Sequence, residues 1–191
     1  MRLHGVMTIS TDIHPDYIAG TWKLDPTHSE VSFTVKHLMI SKVRGTFETF
    51  DVTIVTAEDP KDSTVVATID VASVNTGVEA RDQHLRTSDF FLADEHPEMT
   101  FTSTSVDGGP DDFSITGDLS LRGVTKTVVL KGEFGGIITD GYGQTKAGAT
   151  ATTKINRHDF GVSWNNALEA GGVTLGDDVT INLDLQVVLQ P

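Results

Sequence analysis

Residues 179–189 read Val-Thr-Ile-Asn-Leu-Asp-Leu-Gln-Val-Val-Leu, and this stretch decides the fold. Val179, Ile181, Leu183, Leu185, Val187 and Leu189 fall on one phase of a two-residue period. Thr180, Asn182, Asp184 and Gln186 fall on the other. Successive side chains of a strand point to opposite faces, so this segment has one dry face and one wet face. Antiparallel sheets tolerate that division, whereas all-parallel sheets are covered on both faces.

The same period recurs upstream. Val31, Phe33 and Val35 alternate with Ser32, Thr34 and Lys36, and Val65, Ala67, Ile69 and Val71 alternate with Val66, Thr68 and Asp70. Phe113, Ile115, Leu119 and Leu121 share a phase, as do Val124, Val128, Leu130 and Phe134. Between Gly45 and Val55 the phase slips: Phe47 keeps one register, while Phe50, Val52 and Ile54 keep the other. A bulge near Glu48–Thr49 would absorb the extra residue and curl the sheet. Asp107-Gly-Gly-Pro110, Arg122-Gly123, Gly135-Gly136 and Asp140-Gly141 read as turns. One stretch, Asn75 to Leu92, reads as a helical crossing, capped by Asn75 or Thr76 and stopped before Pro97. About four strands should precede the crossing and about five follow it. The expected fold is all-β, a single antiparallel barrel or sandwich spanning residues 17–191, behind an N-terminal tail of residues 1–16.

Composition removes several functions. Among the 191 residues, 27 acids oppose 14 bases, for a net charge of −13. A chain tracking a nucleic-acid backbone needs a basic face, so no nucleic-acid partner is expected. The same balance argues against docking the chain on an anionic membrane. The absence of cysteine excludes disulfides, thiolate chemistry and cysteine-bound metal. No apolar run approaches the length of a transmembrane helix, and residues 1–20 lack a signal-peptide core, so a cytoplasmic address is expected, or a periplasmic or secreted one if a leader has been removed.

The wall of the barrel can be read two ways. Ala147, Ala149 and Ala151 form a strip of small residues on one phase, and Gly117 and Gly132 sit at inward phases of their strands. Such a wall leaves room for a slender apolar guest, with Phe33, Val35, Val52, Ile69, Phe113, Ile115, Leu119, Phe134, Ala149 and Leu183 as candidate lumen residues. Large residues such as Phe33, Phe113 and Phe134 could equally fill that room.

Several segments, taken in order, carry a resemblance. They include Gly20-Thr-Trp-Lys-Leu-Asp-Pro-Thr-His-Ser29, Val31-Ser-Phe-Thr-Val-Lys-His37 and Val43-Arg-Gly-Thr-Phe47. Arg81-Asp-Gln-His-Leu85, Ser88-Asp-Phe-Phe91, His96-Pro97, Gly117 to Lys126, Ile155-Asn-Arg-His-Asp-Phe-Gly161 and Gly176-Asp-Asp-Val179 continue the set. Over about Tyr17 to Gln190 the chain resembles the YceI family. The resemblance implies an extended lipocalin-like barrel whose lumen holds a polyisoprenoid or a similar long-chain amphiphile.

The polar candidates fit a mouth better than a catalytic centre. Arg157, within Asn156-Arg-His-Asp159, could grip a phosphate or phenolic oxygen, or instead pair with an Asp to lock a turn. Arg44, His84 and Trp164 are further headgroup candidates. Leu85, Phe90 and Phe91 on the crossing would form a lid or plug. His37, next to Lys36, is placed on the wet face at a rim. No HxH, HxxxH or HExxH spacing supports a metal, and no GxSxG elbow supports a nucleophile. No cofactor and no enzymatic activity are expected. The expected function is binding of an isoprenoid, an isoprenoid quinone, a fatty amide or another long-chain lipid, for carriage, storage or sequestration. The alternative is a ligand-free structural or protein-interaction barrel, and a homodimer is compatible with either.

Overall fold

The computed structural model describes residues 13–169 and 171–191. Its strand segments are β1 (Gly20–Leu24), β2 (Glu30–His37), β3 (Ser41–Phe47), β4 (Phe50–Thr56), β5 (Thr64–Asp70) and β6 (Val74–Asn75), then β7 (Glu98–Gly109), β8 (Asp112–Leu121), β9 (Val124–Thr139), β10 (Thr145–Asn156) and β11 (Leu175–Leu189). All pairings are antiparallel, and β1 pairs with β11 as well as β4, so the sheet closes on itself. The far half of β11 runs beside β1 and the near half beside β2. The segments thus assemble as a closed eight-stranded barrel, which leaves no long unpaired edge.

The phase slip in the sequence marks a real break. β3 ends at Phe47 and β4 starts at Phe50, and the two residues between them turn to other partners. The Glu48 N–H donates to the Ser73 carbonyl at 3.1 Å, and the Thr49 carbonyl accepts from the Asp70 N–H at 3.0 Å. Both phases therefore keep their apolar residues inward. Gly135-Gly136 proves to be a bulge inside β9 and not a turn: Gly148 pairs with Gly136 and Ala149 with Phe134, leaving Gly135 unpaired.

The crossing is shorter than the sequence suggests. The helix α1 spans Glu79–Arg86, not 75–92. Asn75 belongs to β6, paired to Thr46, and Gly77 adopts φ +80°, which breaks any earlier start. Thr76 acts from outside the helix: its N–H and its hydroxyl both donate to Asp82 Oδ1, at 2.9 and 2.6 Å. That arrangement satisfies the buried Asp82. After Arg86 the chain makes tight turns, with Leu92 at φ +51°. The crossing covers one end of the barrel. Three strand runs precede it, built from β1–β6, where four strands were expected; the five strands after it match the expectation. The expected tail of residues 1–16 lies outside the described residues up to residue 12. Ile13 and His14 lie against the other end of the barrel, where the His14 ring meets Phe134 edge-on at 5.1 Å.

Candidate functional site

The barrel interior is divided. One chamber of about 250 Å³ lies under the crossing, and a second of about 210 Å³ lies at the opposite end. Their linings share no residue. Between them Val31, Ile69, Phe101, Leu119 and Leu130 are buried in one packed cluster. Glycines make this waist tight. The Phe33 ring occupies the space a side chain at Gly45 would need, Phe101 does so at Gly117, and Phe113 at Gly132. The glycines therefore leave room for phenylalanine rings of the neighbouring strands, so the filled reading of the wall applies at the waist and open space remains on either side of it.

The chamber under the crossing is apolar, with two arginines and two histidines in its lining. Phe33 and Val35 line it, together with His84, Leu85, Phe90, Phe91, Arg157 and Trp164. Six of the seven mouth or lid candidates thus meet in one place. Arg44 does not: it lies on the outer face, where it pairs with Glu30. Its parity explains this, since Val43 and Phe47 of the same strand point inward. Of the other lumen candidates, Phe113, Ile115, Phe134 and Ala149 line the second chamber. Val52, Ile69, Leu119 and Leu183 line neither; the first three are buried in packing, and Leu183 packs against the waist cluster.

Aromatic contacts close the crossing over the first chamber. The His84 ring stands edge-on to both Phe90 and Trp164, each at 5.1 Å, and Phe90 lies 5.4 Å from Trp164. His84 Nε2 is hydrogen-bonded to Asp89 at 2.8 Å, which orients the ring. Such edge-to-face geometry is favourable beyond its buried area.

Arg157 is the unusual group. It is 4% exposed. Its Nε donates to the Gly176 carbonyl at 2.9 Å, and Nη1 donates to the carbonyls of Val162 and Trp164 at 2.9 and 2.8 Å. No carboxylate pairs with it; Asp177 instead takes His158, at 2.8 Å. The expected Arg–Asp lock is therefore absent among the described residues. Burial lowers the Arg157 pKa and the charge of Asp177 opposes that shift, but a guanidinium stays protonated regardless. Nη2 is buried without a partner. A buried donor left unpaired costs free energy that an incoming acceptor would recover.

Two residues of this chamber escaped the sequence reading. His37 lines it and is not on the wet face. Counting by twos from Val31 through Phe33 and Val35 would have placed it there. Arg81 also lines the chamber, held by Thr76 through Nε to Oγ1 at 2.7 Å and Nη2 to the carbonyl at 2.9 Å. The lining thus carries Arg81, Arg157, His37 and His84, and no carboxylate. A chain of net charge −13 has gathered two arginines at one apolar chamber.

A closed antiparallel barrel with internal apolar chambers, one of them beneath a helical cap, defines the lipocalin-like class. The model of the YceI-like domain matches residues 22–187, and the chain belongs to that family. It is 41% identical over 157 residues to the UPF0312 protein SAS2572 of Staphylococcus aureus, covering 81% of this chain and 90% of that one. Among solved structures it is similar to the Campylobacter jejuni YCEI protein, at 33% identity and a TM-score of 0.69, over 88% of this chain and 97% of that one. A polyisoprenoid binding domain from Saccharophagus degradans shares the fold at 18% identity and a TM-score of 0.65, over 88% of this chain and 98% of that domain.

Proposed function

We propose that the barrel binds a long-chain apolar ligand, an isoprenoid, isoprenoid quinone or fatty amide, for carriage, storage or sequestration. The polar end of the ligand lies at Arg157. One observation carries this reading: an apolar chamber lined by Arg81, Arg157, His37 and His84, with no carboxylate and with Arg157 Nη2 unpartnered. That lining fits an acceptor headgroup, a carbonyl or an acidic oxygen, on an apolar body. Burial of the chain contributes roughly 0.8 kcal/mol per methylene. Membership of the YceI-like family and the Saccharophagus neighbour's polyisoprenoid binding support the same class of ligand. The chamber lining includes neither a carboxylate nor a serine, which favours a carrier over a hydrolytic enzyme.

The packed waist favours a second reading, a ligand-free structural or interaction barrel. Each chamber is smaller than the ~300–1,000 Å³ usual for ligand sites, so a long chain must part the waist to use both. Organic extraction of the native protein, followed by mass spectrometry, separates the two. A single long-chain species at near-equimolar ratio is expected. An empty extract from protein made in its native host overturns the carrier reading in favour of the ligand-free one.

A further inference from the structure

The tip of the β2–β3 hairpin contributes little to the barrel's own packing. Its turn is closed by the Ile40 N–H donating to the His37 carbonyl at 3.2 Å. The two central residues, Leu38 and Met39, hold φ of +52° and +60°. The mirror-image type I′ turn requires positive φ at both positions, and Asn-Gly supplies it without strain. Here two long apolar residues adopt it, at a cost in backbone energy. They are also exposed: Leu38 by 36%, Met39 by 55%, and the next residue, Ile40, by 87%. The neighbouring loop extends the patch, with Val173 exposed and the Leu38 N–H donating to the Thr174 carbonyl at 2.8 Å. Backbone strain and exposed apolar surface both oppose folding, so their coincidence marks a surface shaped for something outside the chain.

Two observations identify the partner. Lys36 and Lys42 sit directly opposite each other on the outer face at the base of the tip. Like charges so placed repel, and an acidic partner relieves the repulsion. The nearest acids on the flanking strand are Asp177 and Asp178, in the irregular stretch of β11 beside Lys36, and Asp177 is engaged by His158. The tip also adjoins the first chamber, since His37, Thr174 and Leu175 line it. We propose that Leu38, Met39 and Ile40 insert into the surface of a lipid bilayer, with Lys36 and Lys42 against its acidic headgroups. The net charge of −13 keeps the rest of the barrel away from such a surface, so the contact is confined to the tip, within about one Debye length of ~8–10 Å.

Sedimentation with vesicles of phosphatidylcholine, alone or mixed with phosphatidylserine, tests this. The native protein should bind the mixed vesicles more strongly, and less so as salt rises. Met39→Asp with Ile40→Asp should weaken binding tenfold or more, the equivalent of leaving two apolar side chains in water. Lys36→Glu with Lys42→Glu should remove the preference for the acidic lipid. The decisive variant is Leu38→Asn with Met39→Gly. It relaxes the turn, so Tm should rise by roughly 2–6 °C while vesicle binding falls. Loss of stability in that variant, or equal sedimentation of all variants, overturns the proposal. So does a dimer on gel filtration that Met39→Asp abolishes while no form binds vesicles, which would assign the tip to a second copy of this chain. Vesicle binding does not depend on what the lumen holds, so the docking and carrier readings fail separately.

Discussion

The ring of Phe101 fills the space above Gly117, where an added Cβ would stand 2.7 Å from Phe101 Cε2 and 2.6 Å from the Thr102 carbonyl oxygen. Phe101 is 5% exposed and lies between the two chambers. Phe101→Ala should cost about 3–5 kcal/mol in urea unfolding, because it empties a packed site. It should also change which chains bind. The chamber under the crossing takes only a short length of chain before the waist is reached. For a series of fatty acids, affinity in the native barrel should rise about fourfold per methylene to that length and then level off. In the variant it should keep rising. An unbroken rise in the native protein would show that Phe101 is no barrier.

Arg157 should discriminate by headgroup. Arg157→Met leaves the carbonyls of Val162, Trp164 and Gly176 without their donor, and should cost about 2–4 kcal/mol of stability. Ligand binding then separates structure from recognition. Titration with a fatty acid and with the alkane of equal length should show the acid losing more affinity than the alkane. Equal losses would confine Arg157 to holding the turn.

The strands and the end of the barrel that carries the cap were legible from local rules. Period-two alternation found the faces, and the break after Phe47 was visible as a change of phase. The residues that gather under α1 were found because Phe90, Phe91 and His84 stand out on a polar crossing, while Arg157 and Trp164 flank a turn. The waist was half legible. Gly117 and Gly132 look like gaps along their own strands; Phe33 and Phe113 were open candidates to fill such room, and the register across strands decides for them and adds Phe101. Arg44 misled for a related reason: a charge near a hairpin suggests a mouth, but parity sends it outward to Glu30. The helix was overextended because the pairing of Asn75 with Thr46 is a long-range contact that local propensity does not contain.

The aromatic cap should respond to ligand. His84, Phe90 and Trp164 touch one another above the chamber, on a crossing whose helix is two turns long. Short elements of this kind open at lower free energy than barrel strands. Amides of residues 79–92 should therefore exchange deuterium faster than those of β10 and β11, and slow on addition of a fatty acid. Trp164→Ala should speed exchange across the crossing and leave the strands unchanged. Equal protection with and without ligand would remove the cap from the binding pathway.

At the other end, Lys146 joins two acidic turns. Its ammonium lies 3.1 Å from Asp140 and 3.7 Å from Asp25. Asp25 is held below the ordinary carboxylate range, first by its hydrogen bond with His28, with Thr27 N–H and Lys146 adding to the effect. Asp140 is lowered mainly by the Gln144 N–H, then by Lys146 and the Tyr142 N–H. A carboxyl whose folded pKa lies below its unfolded one binds fewer protons when folded, so it stabilises the fold above the unfolded value. That contribution is lost as pH falls through the folded pKa. Stability measured by urea unfolding should be flat above about pH 5 and fall below about pH 4. Asp25→Asn should flatten part of that fall while lowering stability near neutrality by about 1 kcal/mol or less, since the group is only partly shielded from water. An acid limb of unchanged steepness in the variant would place the titrating groups elsewhere.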